Sequence, residues 1–379
     1  MKPPDRDAVV ARLHPLMARL GRRRGVRHVA LGASAVDGSW TWADAAGAAD
    51  ADGEPMGADT PWFIASVTKL HIAAVILRLH EQGHIDLHAP IASYLPEEFG
   101  ERLHVHDGVD RTSEITAVHL LGHLSGLPDY LEEKPPDGTS LVDQIVEGPD
   151  RGWTPEDAAR RARDQLSPHF PPSDPHGPRP RIRYSDTNYQ LLLIAAGHVT
   201  GQPRERLDRE LLFNPLSLDR TWLPGHDSPE PVVEPATVFV GGRALDDRPL
   251  AMASFGDLYS TTDDLLRFGR SLLTGDLFDD SRTVGLMRER FNRFGLPRSV
   301  ASLRSPSWPI EYGLGLMRFE LSRPLAGGRR LPTVVGHTGS TGSWLWHVPE
   351  LDLVVAGTVD QTSAATVPFR SVPRALASI

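Results

Sequence analysis

Cysteine is absent from the 379 residues of the chain. Disulfide bonds, thiolate metal ligands and a cysteine nucleophile are therefore excluded, so covalent chemistry must use another side chain. The sequence also lacks an apolar run of about 18 residues, the length that a membrane-spanning helix needs. Its first 30 residues contain no apolar core of about 7–15 residues with a small-residue cleavage site. These absences predict a cytoplasmic protein without a membrane partner.

Basic residues are fewer than acidic ones, with 40 Lys and Arg and 49 Asp and Glu, which gives a net charge of −9 at pH 7. No basic stripe with interleaved aromatic residues occurs, so nucleic acid is not expected as a partner. The arginine cluster at 22–24 is short and predicts a solvated loop. The chain exceeds the about 250–300 residues of a single core, which predicts one large domain with an inserted second lobe.

A candidate nucleophile lies at Ser66, in the string Ser66-x-x-Lys69. A serine hydroxyl needs a base within hydrogen-bond reach and donors for the oxyanion. Apolar residues at helical spacing from Ile72 to Leu79, followed by Gly83, predict a helix that begins at this string. Side chains three apart on a helix have Cβ atoms about 5–6 Å apart, so Lys69 would lie beside Ser66. The helix N-terminus would also favour developing negative charge.

Two further strings lie far downstream, Tyr184-x-Asp186 and His337-Thr338-Gly339. In order and spacing, the three strings resemble the motifs of the serine β-lactamase and penicillin-binding protein superfamily, in particular its branch of class C β-lactamases, D,D-peptidases and esterases. The second string resembles the Tyr-x-Asn form of that branch and the third its His-Thr-Gly form. Other segments that resemble the family lie at residues 63–65, 83–87, 94–96 and 123–128, so the resemblance spans about residues 25–362.

The resemblance implies an α+β fold, in which an antiparallel sheet flanked by helices carries an inserted, mainly helical lobe, as in β-lactamases and transpeptidases. Residues 1–104 and 236–379 would form the α/β domain with Ser66 and Lys69, and residues 105–235 the lobe with Tyr184. The residue patterns predict helices over 7–21 and 191–199, a helix capped by residues 260–264, a hairpin of strands 28–36 and 40–46, strands over 333–337, 343–348 and 353–359, and a loose or helical tail after 368.

The resemblance also implies a role for each residue of the three strings. Ser66 would attack a carbonyl carbon to form an acyl-enzyme. Lys69 and the phenol of Tyr184 would share the proton transfers, and the sequence leaves open which of them is the base. Tyrosine titrates near pH 10, so Tyr184 can act as a base only beside a cation such as Lys69. The implied oxyanion hole consists of the backbone N–H groups of Ser66 and Ser340.

Substrate would be bound by Asp186 and by the strand His337-Thr338-Gly339, where Gly339 would let substrate backbone lie close. Asp186 departs from the family, which has asparagine there, and replaces an amide donor by a carboxylate that can only accept when ionised. Such a charge in the site would raise the pKa of Lys69 and repel an anionic substrate. His337 is mostly neutral at pH 7 unless perturbed, which weakens the expected binding of substrate carboxylates.

Two other enzyme classes have partial signals in the sequence. Residues 80–84 match the His-Glu-x-x-His string of zinc proteases, but Gly83 ends the helical pattern between the two histidines. A Ser-His-Asp hydrolase would need Gly-x-Ser-x-Gly, and Ser125 and Ser340 have glycine neighbours at the wrong offsets. Neither a metal site nor a cofactor is therefore expected.

The sequence thus predicts a serine hydrolase of the esterase or D,D-peptidase type, acting through an acyl-serine on a small ester or amide. The first alternative is an acyltransferase that passes the acyl group to an alcohol or amine, since only the access of that nucleophile separates the two reactions. The second alternative is a catalytically inactive ligand-binding relative, because a fold does not dictate function and Asp186 is altered. The natural substrate and the oligomeric state stay open.

Overall fold

The computed structural model describes residues 4–226, 228, 233–296, 306–307, 309–321, 323–324, 326–377 and 379. The chain packs as two compact units. The first comprises Met1–Leu70, Leu212–Leu277 and Met317–Ile379, and the second comprises His71–Leu211 and Phe278–Leu316. The predicted limits of the inserted lobe, 105 and 235, stay a prediction, because units of packed chain are not the same as independently folding domains.

The helices and strands occupy the following residues. The helices are α1 Arg6–Gly21, α2 Thr68–Glu81, α3 Ala117–Leu121, α4 Leu141–Glu147, α5 Pro155–Gln165, α6 Asp186–Thr200, α7 Arg204–Asp208, α8 Asn214–Leu216, α9 Pro249–Ser254, α10 Thr262–Thr274, α11 Thr283–Arg288 and α12 Pro368–Leu376. The strands are β1 His28–Ala35, β2 Thr41–Gly47, β3 Trp62–Phe63, β4 Val105–His106, β5 Val109–Asp110, β6 Phe239–Val240, β7 Arg243–Ala244, β8 Tyr259–Ser260, β9 Asn292–Arg293, β10 Ile310–Tyr312, β11 Met317–Phe319, β12 Val334–Thr338, β13 Trp344–Val348 and β14 Leu353–Thr358. In the described part of the chain, no helix is both long and apolar enough to cross a membrane.

An antiparallel sheet forms the centre of the first unit, with strand order β2-β1-β14-β13-β12-β11. Every residue of β1 is buried, as expected for a strand covered on both faces. Gly32 of β1 faces α10, because a Cβ there would lie 3.0 Å from the side chain of Leu266, whereas Val29 faces α1. The predicted α+β fold, with helices flanking an antiparallel sheet, is confirmed.

Most elements of the first unit agree with the sequence patterns. The predicted helix over 7–21 is α1, the predicted hairpin is β1 and β2, and the three predicted C-terminal strands are β12, β13 and β14. Thr261 caps α10 by accepting a hydrogen bond from the Asp264 backbone N–H. The tail after 368 is the helix α12, whose Val372 and Leu376 are buried.

The second unit is mainly helical, and α6 packs against α3 and α5 within it. This helix begins at Asp186, five residues before the predicted start at 191, so the predicted boundary is wrong. Residues 186–190 show no apolar repeat, yet Thr187 and Asn188 are fully buried. The Thr187 hydroxyl donates to the carbonyl oxygen of Pro128 at 2.7 Å, and the Ser125 hydroxyl donates to the Asn188 Oδ1 at 2.6 Å. Tertiary hydrogen bonds therefore allow a polar first turn to be buried.

Candidate active site

A strained turn carries Ser66 in the first unit. The turn, which we call the Ser66 turn, is a 3₁₀ turn over Ala65–Val67 between β3 and α2. Ala65 has φ of +47°, in the left-handed region that disfavours a residue with a Cβ. The predicted helix is α2, which begins at Thr68, two residues after the serine. Such backbone strain persists only where surrounding structure holds it, and it is frequent at functional sites.

Hydrogen bonds on both sides hold the Ser66 turn in place. The Ile64 N–H donates to the carbonyl oxygen of Leu258 at 2.9 Å, and the Ile64 carbonyl accepts from the Ser343 hydroxyl at 2.7 Å. On the helical side, the Thr68 hydroxyl accepts from the Leu258 N–H at 2.9 Å. The turn is thus hydrogen-bonded to Ser343, the residue before β13, and to Leu258, the residue before β8. These bonds restrict the backbone around Ser66.

Lys69 lies beside Ser66, as the spacing of the two residues predicts. Its Nζ donates a hydrogen bond of 3.0 Å to the Ser66 Oγ. The Lys69 side chain is buried, with 4% of its surface exposed, whereas Ser66 is half-buried. The pair therefore combines a partly accessible hydroxyl with an amine that is shielded from solvent, the arrangement that a lysine-activated nucleophile requires.

The C-terminal end of β12 packs directly against the Ser66 turn. A Cβ at Gly339 would lie 2.7 Å from the Ala65 Cβ and 2.8 Å from the Ile64 carbonyl oxygen, and it would also collide with the Ser343 hydroxyl. Side-chain atoms do not approach so closely, so only glycine fits here. This packing gives a reason for the glycine other than the predicted approach of substrate.

Gly339→Ala is expected to destabilise the protein by about 1–3 kcal/mol through overpacking. It should also lower catalytic activity by at least about tenfold, because small displacements of catalytic groups have large effects on rate. Thermal unfolding and ester hydrolysis measure the two effects. The matched control is Gly285→Ala on the exposed face of α11, where a Cβ would meet nothing within 4 Å. Equal behaviour of the two variants would contradict this account of Gly339.

His337 is buried within β12 and is neutral. Its Nδ1–H donates to the carbonyl oxygen of Thr338 at 2.8 Å, and none of its surface is exposed. Burial, followed by the nearby charge of Lys69, lowers the pKa of His337 to about 3. The first position of the third motif therefore carries no positive charge at physiological pH, unlike the lysine of the related motif set.

Tyr184 lies in the second unit, two residues before α6. Its ring stacks on the ring of His123 with centroids 4.2 Å apart and planes 33° apart, and Tyr312 meets it edge-on at 6.2 Å. Tyr189 donates its phenol proton to the carbonyl oxygen of Leu121 at 3.1 Å, and the Tyr189 and Tyr312 phenols are hydrogen-bonded at 3.2 Å.

These three tyrosines differ in how far solvent and substrate can reach them. Burial, together with the neighbouring tyrosines, raises the pKa of Tyr312 well above its ordinary value. Tyr189 and Tyr312 are 2% and 0% exposed, whereas Tyr184 is half-buried. Of the three phenols, Tyr184 is the accessible one.

Asp186 begins α6, where a negative charge is favoured by the helix dipole. Its backbone N–H donates to the Oδ2 of Asp129 at 3.1 Å. Burial, followed by the negative charge of Asp186, raises the pKa of Asp129 to about 8. The carboxylate that replaces the family's asparagine therefore lies beside a second, buried carboxyl group.

Asp186→Asn is expected to change the melting temperature more favourably at pH 8 than at pH 5. The folded Asp129 has a pKa of about 8 instead of 3.8, so its contribution to stability is lost as the pH rises through this window. Removing the Asp186 charge lowers that pKa and reduces the loss. Thermal unfolding between pH 5 and 8 tests this, with the exposed Glu147→Gln as control. Equal shifts at both pH values would contradict it.

Sequence reasoning assigned no site role to three residues that contact Tyr184 or hold its neighbours. In the sequence, His123 belongs to the segment 123–128 that resembles the family, which gives it no role of its own. Asn188 is an amide two residues after Asp186, outside the motif position. Asn188 donates from Nδ2 to the Nδ1 of His123 at 3.0 Å. Tyr312 lies more than a hundred residues away in sequence and carried no signal.

The residues of the zinc-protease string are not arranged as ligands. The helix α2 ends at Glu81, so His84 lies beyond it. The Nδ1 of His80 donates to the carbonyl oxygen of Ile85 at 2.9 Å. Within the described residues, no group of three or more His, Cys, Asp or Glu side chains could hold a metal ion.

Known proteins resemble the chain in sequence and in structure. It is 31% identical to esterase EstB of Burkholderia gladioli over 359 residues, which cover 86% of this chain and 83% of EstB. It is 24% identical to the D-alanyl-D-alanine-carboxypeptidase/endopeptidase AmpH of Escherichia coli K12 over 286 residues, 75% of this chain and 66% of AmpH. The chain thus spans just under two thirds of AmpH.

A solved structure supports the fold. The D-amino acid amidase of Ochrobactrum anthropi SV3, complexed with D-phenylalanine, matches with a TM-score of 0.73 and 22% identity over 98% of each chain. The two relatives in sequence are named as an esterase and a carboxypeptidase, and the predicted resemblance to the β-lactamase and penicillin-binding protein superfamily is confirmed. The family model described as Beta-lactamase matches residues 13–375. Because this match covers nearly the whole chain, the protein belongs to the Beta-lactamase family.

Proposed function

We propose that the chain hydrolyses a small ester or amide through an acyl-enzyme on Ser66. The observation that carries this proposal is the 3.0 Å hydrogen bond between the Lys69 Nζ and the Ser66 Oγ on a strained turn at the head of α2. The bond places a shielded amine within hydrogen-bond reach of the hydroxyl, and in its neutral form this amine could accept the hydroxyl proton. Membership of a family with esterase and peptidase relatives gives independent support.

In the acylation step, the Ser66 Oγ attacks the substrate carbonyl carbon while its proton passes to Lys69 in its neutral form or to the Tyr184 phenolate. The carbonyl oxygen becomes an oxyanion, which the backbone N–H groups of Ser66 and Ser340 stabilise. The tetrahedral intermediate then expels the alcohol or amine, which takes up the proton. Water attacks the acyl-serine in the second step, regenerates the Ser66 hydroxyl and releases the carboxylic acid. This scheme uses no metal and no cofactor.

The close packing of β12 against the Ser66 turn supports the role given to Ser340. The turn of Gly339 is closed by hydrogen bonds, since the Gly339 N–H donates to the Ser343 carbonyl at 2.9 Å and the Gly342 N–H to the Gly339 carbonyl at 3.0 Å. The Ser340 N–H is thereby carried on a rigid loop whose first residue contacts Ala65. Rigid donors are the kind that stabilise an oxyanion without reorganisation.

The substrate that we propose does not depend on a carboxylate for binding. His337 is neutral, because its pKa lies at about 3, and it offers no cation to an anionic group. Thr338, Gly339 and Asp186 would contact the ester or amide substrate. The relative that is 31% identical is named as an esterase, which agrees with an ester as the substrate. The predicted cytoplasmic location stays a prediction.

Intact-protein mass spectrometry tests the proposal. The protein is incubated with a fluorophosphonate, a β-lactam or a p-nitrophenyl acyl ester, and the adduct mass is compared with that of Ser66→Ala. A Ser66-dependent adduct with the ester or the fluorophosphonate is the expected result. No adduct with any of the three probes would favour the inactive ligand-binding relative.

A parallel ester reaction with added alcohols or amines separates hydrolysis from acyl transfer. A hydrolase gives the free acid as its main product, and the rate of p-nitrophenol release changes little with the added nucleophile. Faster release, with the acyl group recovered on the alcohol or amine, would identify an acyltransferase, in which the first step is unchanged and another nucleophile replaces water.

A further inference from the structure

His123 contacts three consecutive residues around Tyr184. Its carbonyl oxygen accepts from the Arg183 N–H at 3.0 Å, and its Nδ1 accepts from the Ser185 N–H at 3.2 Å. Between these two bonds, its ring lies against the ring of Tyr184 with centroids 4.2 Å apart. One residue therefore holds the backbone on both sides of Tyr184 and one face of its side chain.

The hydrogen bonds also decide which nitrogen of His123 carries the proton. A backbone N–H can only donate, so the Nδ1 must accept from Ser185. Asn188 donates to the same nitrogen, since its Oδ1 accepts from the Ser125 hydroxyl and its Nδ2 therefore faces the ring. A proton on Nδ1 would point at two donors. The ring is accordingly neutral, with its proton on Nε2.

The backbone of His123 is held in an unfavourable conformation. Its φ is +56°, in the left-handed region. The helix α3 ends at Leu121, Gly122 caps it, and His123 is the next residue. The His123 side chain is fully buried, and Tyr189 and Tyr312 lie beside it with ring centroids 5.3 Å and 4.7 Å away. The strain is maintained by this packing, as is common for residues that place a functional group.

We propose that His123, held as the Nε2–H tautomer by Ser185 and Asn188, is a positioning residue that sets the orientation of Tyr184 for proton transfer. This inference rests on the proposed function, because it takes Tyr184 as a proton carrier. It gives Asn188 an indirect part in the site through His123, although Asn188 does not occupy the motif position.

The main experiment is a double-mutant cycle of His123→Asn and Tyr184→Phe. Asparagine tolerates the left-handed backbone, and its side-chain oxygen can replace Nδ1 as an acceptor, so the variant removes mainly the ring. With a p-nitrophenyl ester, His123→Asn should lower kcat roughly 10–100-fold, the effect of a small misplacement of a catalytic group, with KM within about twofold. In the Tyr184→Phe background, the same change should lower kcat less than about twofold.

Several outcomes of the cycle would overturn the inference. Equal losses in both backgrounds would mean that His123 acts without Tyr184, and a wild-type rate for His123→Asn alone would mean that it has no positioning role. A normal rate for Tyr184→Phe alone would instead refute the Tyr184 part of the proposed function, and the inference with it, while Ser66-dependent adducts would still stand. The separate readouts keep these failures distinguishable.

A second pair of variants tests whether the hydrogen bond from Asn188 holds the His123 ring in place. Asn188→Ala removes one donor to Nδ1 and should lower kcat about 3–10-fold, the smaller effect expected of a residue that acts through another. The control is Gln190→Ala on the same helix, since Gln190 is also buried but donates to the Tyr130 phenol at 3.3 Å. Its kcat should stay within about twofold of the wild type. Equal losses in the two variants would indicate a general effect on α6 and oppose the inference.

Nitrogen NMR of the protein labelled with ¹⁵N-histidine measures the tautomer directly. Among the 16 histidines, His123 is identified by the signals that disappear in His123→Asn. A proton on Nε2 and a bare Nδ1 are expected in the wild type, with a change in the Nδ1 signal in Asn188→Ala. A protonated Nδ1 in the wild type would overturn the assignment of the tautomer, whatever the kinetics.

Discussion

Ser66→Ala is expected to abolish covalent labelling by a fluorophosphonate and to lower ester hydrolysis by at least about 10³-fold. The Ser66 Oγ is the atom that would carry the acyl group, and it is the acceptor of the 3.0 Å hydrogen bond from Lys69. Alanine removes that oxygen and leaves the rest of the turn unchanged. The adduct mass and the rate of p-nitrophenol release are the two measurements.

The fold of this variant should be preserved, because alanine is smaller than serine and the hydroxyl is only half-buried. Ser39→Ala serves as the control, since Ser39 is exposed in the turn between β1 and β2. It should label and hydrolyse like the wild type. Full labelling of Ser66→Ala would remove the serine from the mechanism and place the nucleophile elsewhere.

Lys69→Met should lower the acylation rate by about 10²–10⁴-fold, the usual contribution of a general acid or base. Methionine has a similar length and fits a buried position, so the change removes the amine and keeps most of the packing. The Lys69 side chain is buried, with 4% of its surface exposed, so methionine would occupy a site that is shielded from solvent. Stopped-flow measurement of the p-nitrophenol burst gives the acylation rate.

The surface lysine Lys134 provides the control for this variant. It is 61% exposed and pairs with Asp143 at 2.8 Å, so Lys134→Met should acylate at the wild-type rate. The melting temperature of Lys69→Met separates a chemical loss from a folding defect. A near-normal burst rate would mean that Lys69 takes no proton, and Tyr184 would then be the base.

Local geometry explains why the sequence predicted some features well. The contact of Ser66 with Lys69 follows from the i, i+3 spacing at the start of a helix, and it holds although α2 begins two residues later than expected. The hairpin β1–β2 and the strands β12 to β14 follow from short apolar runs with turn residues between them. In each case, neighbours in sequence supply the whole signal.

Features that depend on distant residues were not predictable in the same way. The first turn of α6 is polar and shows no apolar repeat, and it is helical because Thr187 and Asn188 find partners sixty or so residues earlier in the chain. Gly339 is required by Ala65 and Ile64, which precede it by more than 270 residues. Neither requirement leaves a mark in the local pattern.

The sequence by itself determined the α+β class, the candidate nucleophile with its lysine, and the likeness to one family, because motif order and helical spacing are properties of the chain. Only the tertiary structure decided that His337 is neutral, that Asp129 lies beside Asp186 and that His123 holds Tyr184. Charge state and side-chain orientation depend on burial and on hydrogen-bond partners. The folded chain brings those partners together from elements that are far apart in sequence.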